Sequence, residues 1–167
     1  PEAAADVDRI RTLGWLVWDL HFGHEPAVAG YFDGLDPAQL ARIRSRFEQH
    51  RLVAGLDIYP ISVMPVGGDR PAWTPRELIS LAMAEIERWH DRYEQPFWIA
   101  ETSNLTLPLD QQVSWLNEFS AGLAQLRVDG RPARGLCWYS RGDQFDWQTA
   151  LTEPTGAVTE VGLYDTK

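Results

Sequence analysis

Four short apolar segments alternate with helical patterns along the chain, and this alternation restricts the possible folds more than any other feature. The apolar segments are GWLVWDL (14–20), LVAGLDIYP (52–60), PFWIAETS (96–103) and RGLCWYS (134–140). Short apolar runs of this kind are typical of buried strands in parallel sheets. Between them, apolar residues recur at helical spacing and predict helices over 36–50, 74–95 and 109–128.

Two of these helices also carry start signals. DPAQ (36–39) and TPRE (74–77) each combine a capping residue, a proline in the first turn and a Gln or Glu three residues after the cap. This is the capping-box pattern, in which side chains satisfy the free N–H groups at a helix start. The predicted order is therefore strand, helix, strand, helix, strand, helix, strand.

The spacing of the segments predicts parallel strands. The ends of the last three strands lie 42 residues apart from Tyr59 to Glu101, and 38 residues apart from Glu101 to Tyr139. Alternation at this pitch is typical of parallel strands joined by crossover helices. Four such strands form half of a (β/α)₈ barrel or a small open doubly wound sheet. We expect one partial α/β barrel domain over residues 1–167.

Polar residues follow the predicted strands where both folds place their chemistry. Asp57 and Tyr59 end the second strand, Glu101 ends the third and Tyr139 ends the fourth. Glu101 is a candidate catalytic group, although a Glu at a strand end also serves as a salt-bridge or capping partner. Tyr59 has a comparable alternative as a packed residue with a solvated hydroxyl. No G-x-G-x-x-G follows any strand, which argues against a dinucleotide site.

Composition excludes several classes of partner. The net charge is −9, from 24 acidic and 15 basic residues, which disfavours nucleic acid and anionic membranes. The single Cys137 cannot form an intrachain disulfide, no Cys/His set has zinc spacing, and His21 and His24 are weak evidence for a metal pair. We expect no metal and no cofactor. With no secretory signal or 18-residue apolar run visible, we expect a cytoplasmic protein.

The chain is rich in tryptophan, with eight Trp in 167 residues. Trp combines a large apolar face with an N–H that needs a partner. We expect Trp15, Trp89 and Trp115 to pack in the core. For Trp residues in loops, the C–H faces of sugar rings are the natural ligand, so the composition favours carbohydrate.

Several segments resemble glycoside hydrolase family 1, the β-glucosidase family. GLCWYSRGDQFDW (135–147) resembles the family's eighth-strand motif, G-Y-x-x-W-S-L-L-D-N-F-E-W, without gaps. PFWIAETSN (96–104) is similar to the seventh-strand P-[IL]-x-I-T-E-N-G, and AGLDIYP (54–60) to the sixth-strand x-G-[IL]-N-Y-Y. VGLYD (161–165) is similar to the closing F-G-L-Y-x-V-D. GWLVWDLHFG (14–23) would then be the fifth strand, and the chain the barrel's C-terminal half.

The resemblance implies retaining hydrolysis of β-glycosides. Glu101 falls on the nucleophile, and Tyr59 on a Tyr that orients it. Asp146 falls on a Glu that binds the outer hydroxyls of the sugar, Trp147 holds the same end of the ring, and Tyr139 replaces the usual Trp beneath it. Asp57 takes the place of Asn in the substrate site. The changes at 139 and 146 put the usual glucose or galactose specificity in doubt.

The acid/base of such an enzyme is missing from its expected place. The family carries it in T-x-N-E-P after the fourth strand, and the chain offers only Glu25 in HEP (24–26). Glu25 precedes Glu101 by only 76 residues, which is too few, so we set it aside. A half-barrel also exposes strand edges. We therefore expect this chain to be a fragment, or to pair with an N-terminal half or with a copy of itself.

Three functional hypotheses stay open at this point. The first is the C-terminal half of a retaining β-glycosidase, active when completed. The second is an inactive glycosidase-like half-barrel that binds carbohydrate or assembles with a partner. The third is a different enzyme on a parallel sheet with Glu101 as a general base, for which the residues offer no positive support.

Overall fold

The computed structural model describes residues 2–49, 53–63, 65 and 72–165. The helices are α1 (Glu2–Phe22), α2 (Pro37–Gln49), α3 (Pro75–Tyr93) and α4 (Gln112–Val128). The strands are β1 (Ala54–Asp57), β2 (Phe97–Thr102), β3 (Ala133–Trp138), β4 (Gln144–Phe145) and β5 (Val158–Thr159). The chain divides into two compact units, the first with α1 and α2 and the second with all five strands, α3 and α4. A single domain over residues 1–167 stays a prediction.

The predicted strand at GWLVWDL (14–20) is wrong, because these residues lie inside helix α1. Leu16 and Asp19, three positions apart, are buried, whereas Val17 between them is 60% exposed. Burial at a spacing of three is helical and differs from the two-residue period of a strand. A short apolar run does not distinguish a buried strand from a helix. The Ala-rich stretch before it favours the helix, which then extends through the run.

In the first unit, α2 packs against α1 through aromatic rings. Phe47 of α2 lies 5.2 Å from Phe22 and 4.9 Å from His21, measured between ring centroids. The predicted cap of α2 is confirmed, since Asp36 Oδ1 accepts a hydrogen bond from the Ala38 N–H at 3.0 Å. The predicted end of this helix at residue 50, and the predicted strand start at residue 52, lie outside the described residues.

The second unit is a three-stranded parallel sheet in the order β1-β2-β3. Helix α3 connects β1 to β2 and helix α4 connects β2 to β3, so the predicted parallel strands with crossover helices are confirmed. The sheet has three such strands and not the four that we predicted, since the first predicted strand is helical. β4 and β5 form a separate antiparallel pair after β3.

The core of the second unit lies between one face of the sheet and the helices α3 and α4. Phe97 and Ile99 of β2 are fully buried, as are Trp115 and Phe119 of α4. Trp89 of α3, which is 4% exposed, contacts Phe97 with ring centroids 5.9 Å apart. The helices α3 and α4 therefore cover one face of the sheet. Residues near the strand ends lie on the other face, as described below.

Helix α3 begins with the predicted capping box. The Glu77 N–H donates to Thr74 Oγ1 at 3.3 Å, and Glu77 Oε2 accepts from the Thr74 N–H at 2.8 Å. The hydrogen bonds from the Thr74 backbone and side chain lower the pKa of Glu77. Among the described helices, none is long and apolar enough to cross a membrane.

Candidate active site

The parallel ladder between β1 and β2 is irregular just before Glu101. Leu56 pairs with Ile99, but the next residue of β1, Asp57, pairs with Glu101, so Ala100 is an additional residue in β2. Such a bulge places two residues of one strand opposite one residue of its neighbour and changes the direction of the side chains that follow.

The bulge determines which face receives Glu101. Ile99 and Thr102 are both fully buried, and Trp115 Nε1 of α4 donates to Thr102 Oγ1 at 3.0 Å, so both residues point to the helices. In a regular strand, residues 99 and 102 would lie on opposite faces, and Glu101 would share the helix side with Ile99. Because of the bulge, Glu101 lies on the face away from the helices.

The phenol of Tyr59 donates a hydrogen bond to the carboxylate of Glu101. Tyr59 follows β1 and Glu101 lies near the end of β2, so two neighbouring strand ends bring the groups together. The pKa of Tyr59 is raised well above its ordinary value, first by burial and then by the hydrogen bond and charge of Glu101. The phenol therefore stays protonated at neutral pH and remains a donor to Glu101.

Asp57 is a second carboxylate at this point of the sheet. It is the register partner of Glu101, and its side chain is exposed. Its negative charge also raises the pKa of Tyr59. In the described residues, neither Asp57 nor Glu101 forms a salt bridge.

Two aromatic side chains extend the site towards the loop after β3. Tyr139 interacts electrostatically with Tyr59. Its ring lies 6.0 Å from that of Trp147, centroid to centroid, at an angle of 50°. Trp147 is 47% exposed. One continuous group of side chains thus lies at the carboxyl ends of the strands, made up of Tyr59, Glu101, Tyr139 and Trp147.

Asp146 closes the loop that carries Trp147. Its backbone has a φ of 57°, and its Oδ1 accepts hydrogen bonds from Thr155 Oγ1 at 2.6 Å and from the Ala157 N–H at 3.1 Å. The hydrogen bond from the Thr155 hydroxyl is the main cause that lowers the pKa of Asp146. One carboxylate oxygen therefore holds this loop together, a role that the sequence analysis did not find.

The C-terminal segment 158–165 binds the loops that surround the site. Trp138 Nε1 donates to the Val161 carbonyl at 2.9 Å, and the side chain of Asn104, 2% exposed, donates to the Glu160 carbonyl at 3.1 Å. The Gly162 N–H donates to Asp143 Oδ1 at 3.0 Å. The similarity of VGLYD to the closing family motif was the sequence signal for this segment, but it did not reveal these contacts.

The predicted metal pair, His21 and His24, and the acid/base candidate that was set aside, Glu25, lie in the first unit. Glu25 and His24 follow helix α1 and not a fifth strand as predicted. The ring of His21 bonds the Val17 carbonyl through Nδ1 at 2.6 Å. The described part of the chain contains no cluster of three or more His, Cys, Asp or Glu residues able to hold a metal ion.

Comparisons with known proteins bear on the fold. No protein-family model and no curated protein matches the sequence. Among solved structures, the chain is similar to a β-glucosidase from Thermotoga maritima in complex with glucoimidazole, with a TM-score of 0.57 and 15% identity over 91% of this chain. A β-glucosidase from Exiguobacterium marinum gives a TM-score of 0.53 and 15% identity over 90%.

The fold is glycosidase-like. At 15% identity the likeness establishes the fold and leaves activity and substrate open. This chain spans only 38% and 35% of the two β-glucosidases, so it corresponds to roughly a third of such an enzyme.

Proposed function

We propose that this chain is the C-terminal half of a retaining β-glycosidase of glycoside hydrolase family 1. The observation that carries the proposal is the contact between Tyr59 and Glu101 at neighbouring parallel strand ends of a glycosidase-like fold. The ungapped similarity of residues 135–147 to the eighth-strand motif supports the family.

In the proposed reaction, Glu101 is the nucleophile. Its carboxylate forms a bond to the anomeric carbon of the sugar, while the bond from that carbon to the leaving oxygen breaks. A second carboxylic acid, roughly 5–5.5 Å away in retaining enzymes, protonates the leaving oxygen. The second group, now a carboxylate, then takes a proton from water while the water oxygen bonds to the anomeric carbon and the bond from that carbon to Glu101 breaks, which releases the sugar and returns Glu101 as a carboxylate. Tyr59 orients Glu101, because its phenol donates a hydrogen bond to the carboxylate.

The aromatic pair and the loop after β3 supply the proposed sugar subsite. Tyr139 forms the surface beneath the ring and Trp147 contacts its outer end, where stacking on C–H groups stabilises bound sugar. Asp146 accepts hydrogen bonds from the outer hydroxyls through the oxygen that does not hold its own loop. Of these three side chains, Trp147 is the most exposed, at 47%.

Completion of the proposed site requires the part of such an enzyme that this chain does not span. The chain spans about a third of a β-glucosidase, and the expected acid/base belongs to the part that it does not span. Trp98 is 40% exposed, and a Cβ on Gly55 of the neighbouring strand would lie 3.1 Å from its Nε1. Trp98 therefore lies on the face away from the helices, which a second half-barrel or a second copy would cover.

A mechanism-based probe tests the nucleophile. An activated 2-deoxy-2-fluoro β-glucoside traps the glycosyl-enzyme, and peptide mass spectrometry should locate the label on Glu101 when an N-terminal β-glycosidase half is supplied. Glu101→Gln should abolish labelling, and Tyr59→Phe should slow it. Labelling of any other carboxylate, or none in the completed protein, would refute the proposal.

A second candidate is a catalytically inactive glycosidase-like half-barrel that binds carbohydrate or assembles with a partner. The specific observation in its favour is the exposed Trp147 beside Tyr139, which offers an aromatic surface to a sugar whether or not a reaction occurs. This candidate predicts sugar binding that depends on Trp147 and is unaffected by Glu101→Gln. Covalent labelling of Glu101 would exclude it.

A further inference from the structure

Asp57 gives the candidate site a second negative charge beside the proposed nucleophile. Asp57 and Glu101 are register partners on neighbouring parallel strands, which lie about 4.7–4.9 Å apart. Gly55 lies two positions before Asp57, and a Cβ at Gly55 would contact the side chains of Trp98 and Ala100. Because alternate residues of a strand share a face, Asp57 lies on the same face of the sheet as Gly55, the face that also carries Glu101. The two carboxylates are therefore neighbours on one face.

Among the residues that the structure describes, no basic side chain balances the charge of this pair. Tyr59 donates one hydrogen bond, to Glu101, and no basic side chain in the described residues forms a salt bridge with either carboxylate. Adjacent like charges repel each other, and a cation between them relieves the repulsion. An ionised carboxylate can accept hydrogen bonds but cannot donate them, so Asp57 favours a ligand group that donates. A charged donor forms the stronger hydrogen bond with it.

We propose that this site takes β-glycosides with an ammonium group next to the anomeric carbon, the 2-amino-2-deoxy glycosides, and that Asp57 selects them. The inference rests on the proposed function, because the bond from Glu101 fixes where the anomeric carbon lies. The carboxylate of the register partner Asp57 is then assigned to the substituent on the next ring carbon. A neutral hydroxyl at that position makes a weaker hydrogen bond to the same group.

Binding of free sugars to the whole chain tests the proposal without requiring turnover. At about pH 6, where an amine with a pKa near 8 is protonated, titration calorimetry should show glucosamine binding about tenfold more tightly than glucose, or roughly 1.4 kcal/mol. Asp57→Asn keeps the shape and removes the charge. It should abolish the preference for glucosamine over glucose.

A matched control separates local from overall charge. Asp129 is an exposed aspartate at the end of α4, just before β3, and Asp129→Asn changes the net charge by the same amount. It should retain the preference for glucosamine. In the unmodified chain, raising the salt concentration should weaken that preference, because salt screens exposed charges.

Several results would overturn the inference. These are equal binding of both sugars, binding of neither, a preference that survives Asp57→Asn, or one that salt does not change. The outcome is separate from that of the proposed function. Covalent labelling at Glu101 without a preference for glucosamine refutes only the inference, whereas a preference that depends on Asp57 with no labelling refutes the retaining mechanism.

Discussion

Gly162 allows the C-terminal segment to reach the loops around the candidate site, and replacing it with alanine should release that segment. A Cβ at this position would lie 2.5 Å from the Gly142 carbonyl carbon and 2.8 Å from its Cα, and closer still to the Asp143 nitrogen. These are backbone atoms that cannot rotate away. Ordinary contact requires about 3.4 Å or more, so the two segments must separate by close to 1 Å.

The expected cost follows from that separation. Overpacking of this kind costs about 1–3 kcal/mol. The shift also stretches three hydrogen bonds: Gly162 N–H to Asp143, Leu163 N–H to Ser140, and Tyr164 N–H to Arg141. Each contributes about 0.5–1.5 kcal/mol, and exposure reduces their sum. We expect Gly162→Ala to lower the free energy of unfolding by about 2–4 kcal/mol.

Urea unfolding followed by Trp fluorescence measures this change. Gly135→Ala is the matched control, because a Cβ at Gly135 has no heavy atom within 4 Å. It should leave the midpoint unchanged or raise it by the equivalent of about 0.4–1 kcal/mol, since alanine restricts the unfolded chain more than glycine does. Equal midpoints for the two variants would show that the close approach at Gly162 is not a constraint.

Three further predictions concern the site and its support. Glu101→Gln should lower the pKa of Tyr59 by about one unit, because a hydrogen bond to a charged acceptor is about 1 kcal/mol stronger than one to a neutral acceptor; NMR titration of ¹³C-labelled tyrosine measures it, and an unchanged value contradicts the contact. Thr102→Val should destabilise the fold by about 1–3 kcal/mol, since the buried Trp115 N–H loses its acceptor; urea unfolding should show this, with Thr106→Val, an exposed threonine in the following loop, as the comparison. The pKa of Asp146 is lowered, so the stability that its carboxylate contributes is complete above the ordinary pKa of about 3.9 and is lost as pH falls through the folded-state pKa. Asp146→Asn should not show this loss of stability in acid unfolding. Identical acid-unfolding profiles for the two proteins would exclude the contribution of Asp146.

The parts of the fold that depend on local pattern could be predicted from the sequence. TPRE (74–77) begins α3 as its capping box requires, and the apolar runs at residues 54–57 and 97–102 form parallel strands. The run at residues 14–20 could not be assigned correctly from its own residues, because four to eight apolar residues suit a helix as well as a strand. The helix there depends on the alanine-rich residues that precede it.

The side chains of the candidate site depend on features that no local pattern shows. The face on which Glu101 lies depends on the bulge at Ala100, which the sequence does not show. In the structure, the bulge allows Thr102 to face helix α4 and accept the hydrogen bond from Trp115. Asp146 was predicted as a sugar contact from a motif position. Its bond to Thr155 joins residues nine positions apart and follows from the loop conformation.

The three-stranded sheet follows the order of the chain, with one helix between each strand and the next. Every ladder therefore forms between segments that are successive along the polypeptide, and no strand is threaded between two others that are remote in sequence. Because each pair of strands is separated by only one crossover connection, the chain entropy that is lost in closing each ladder stays small.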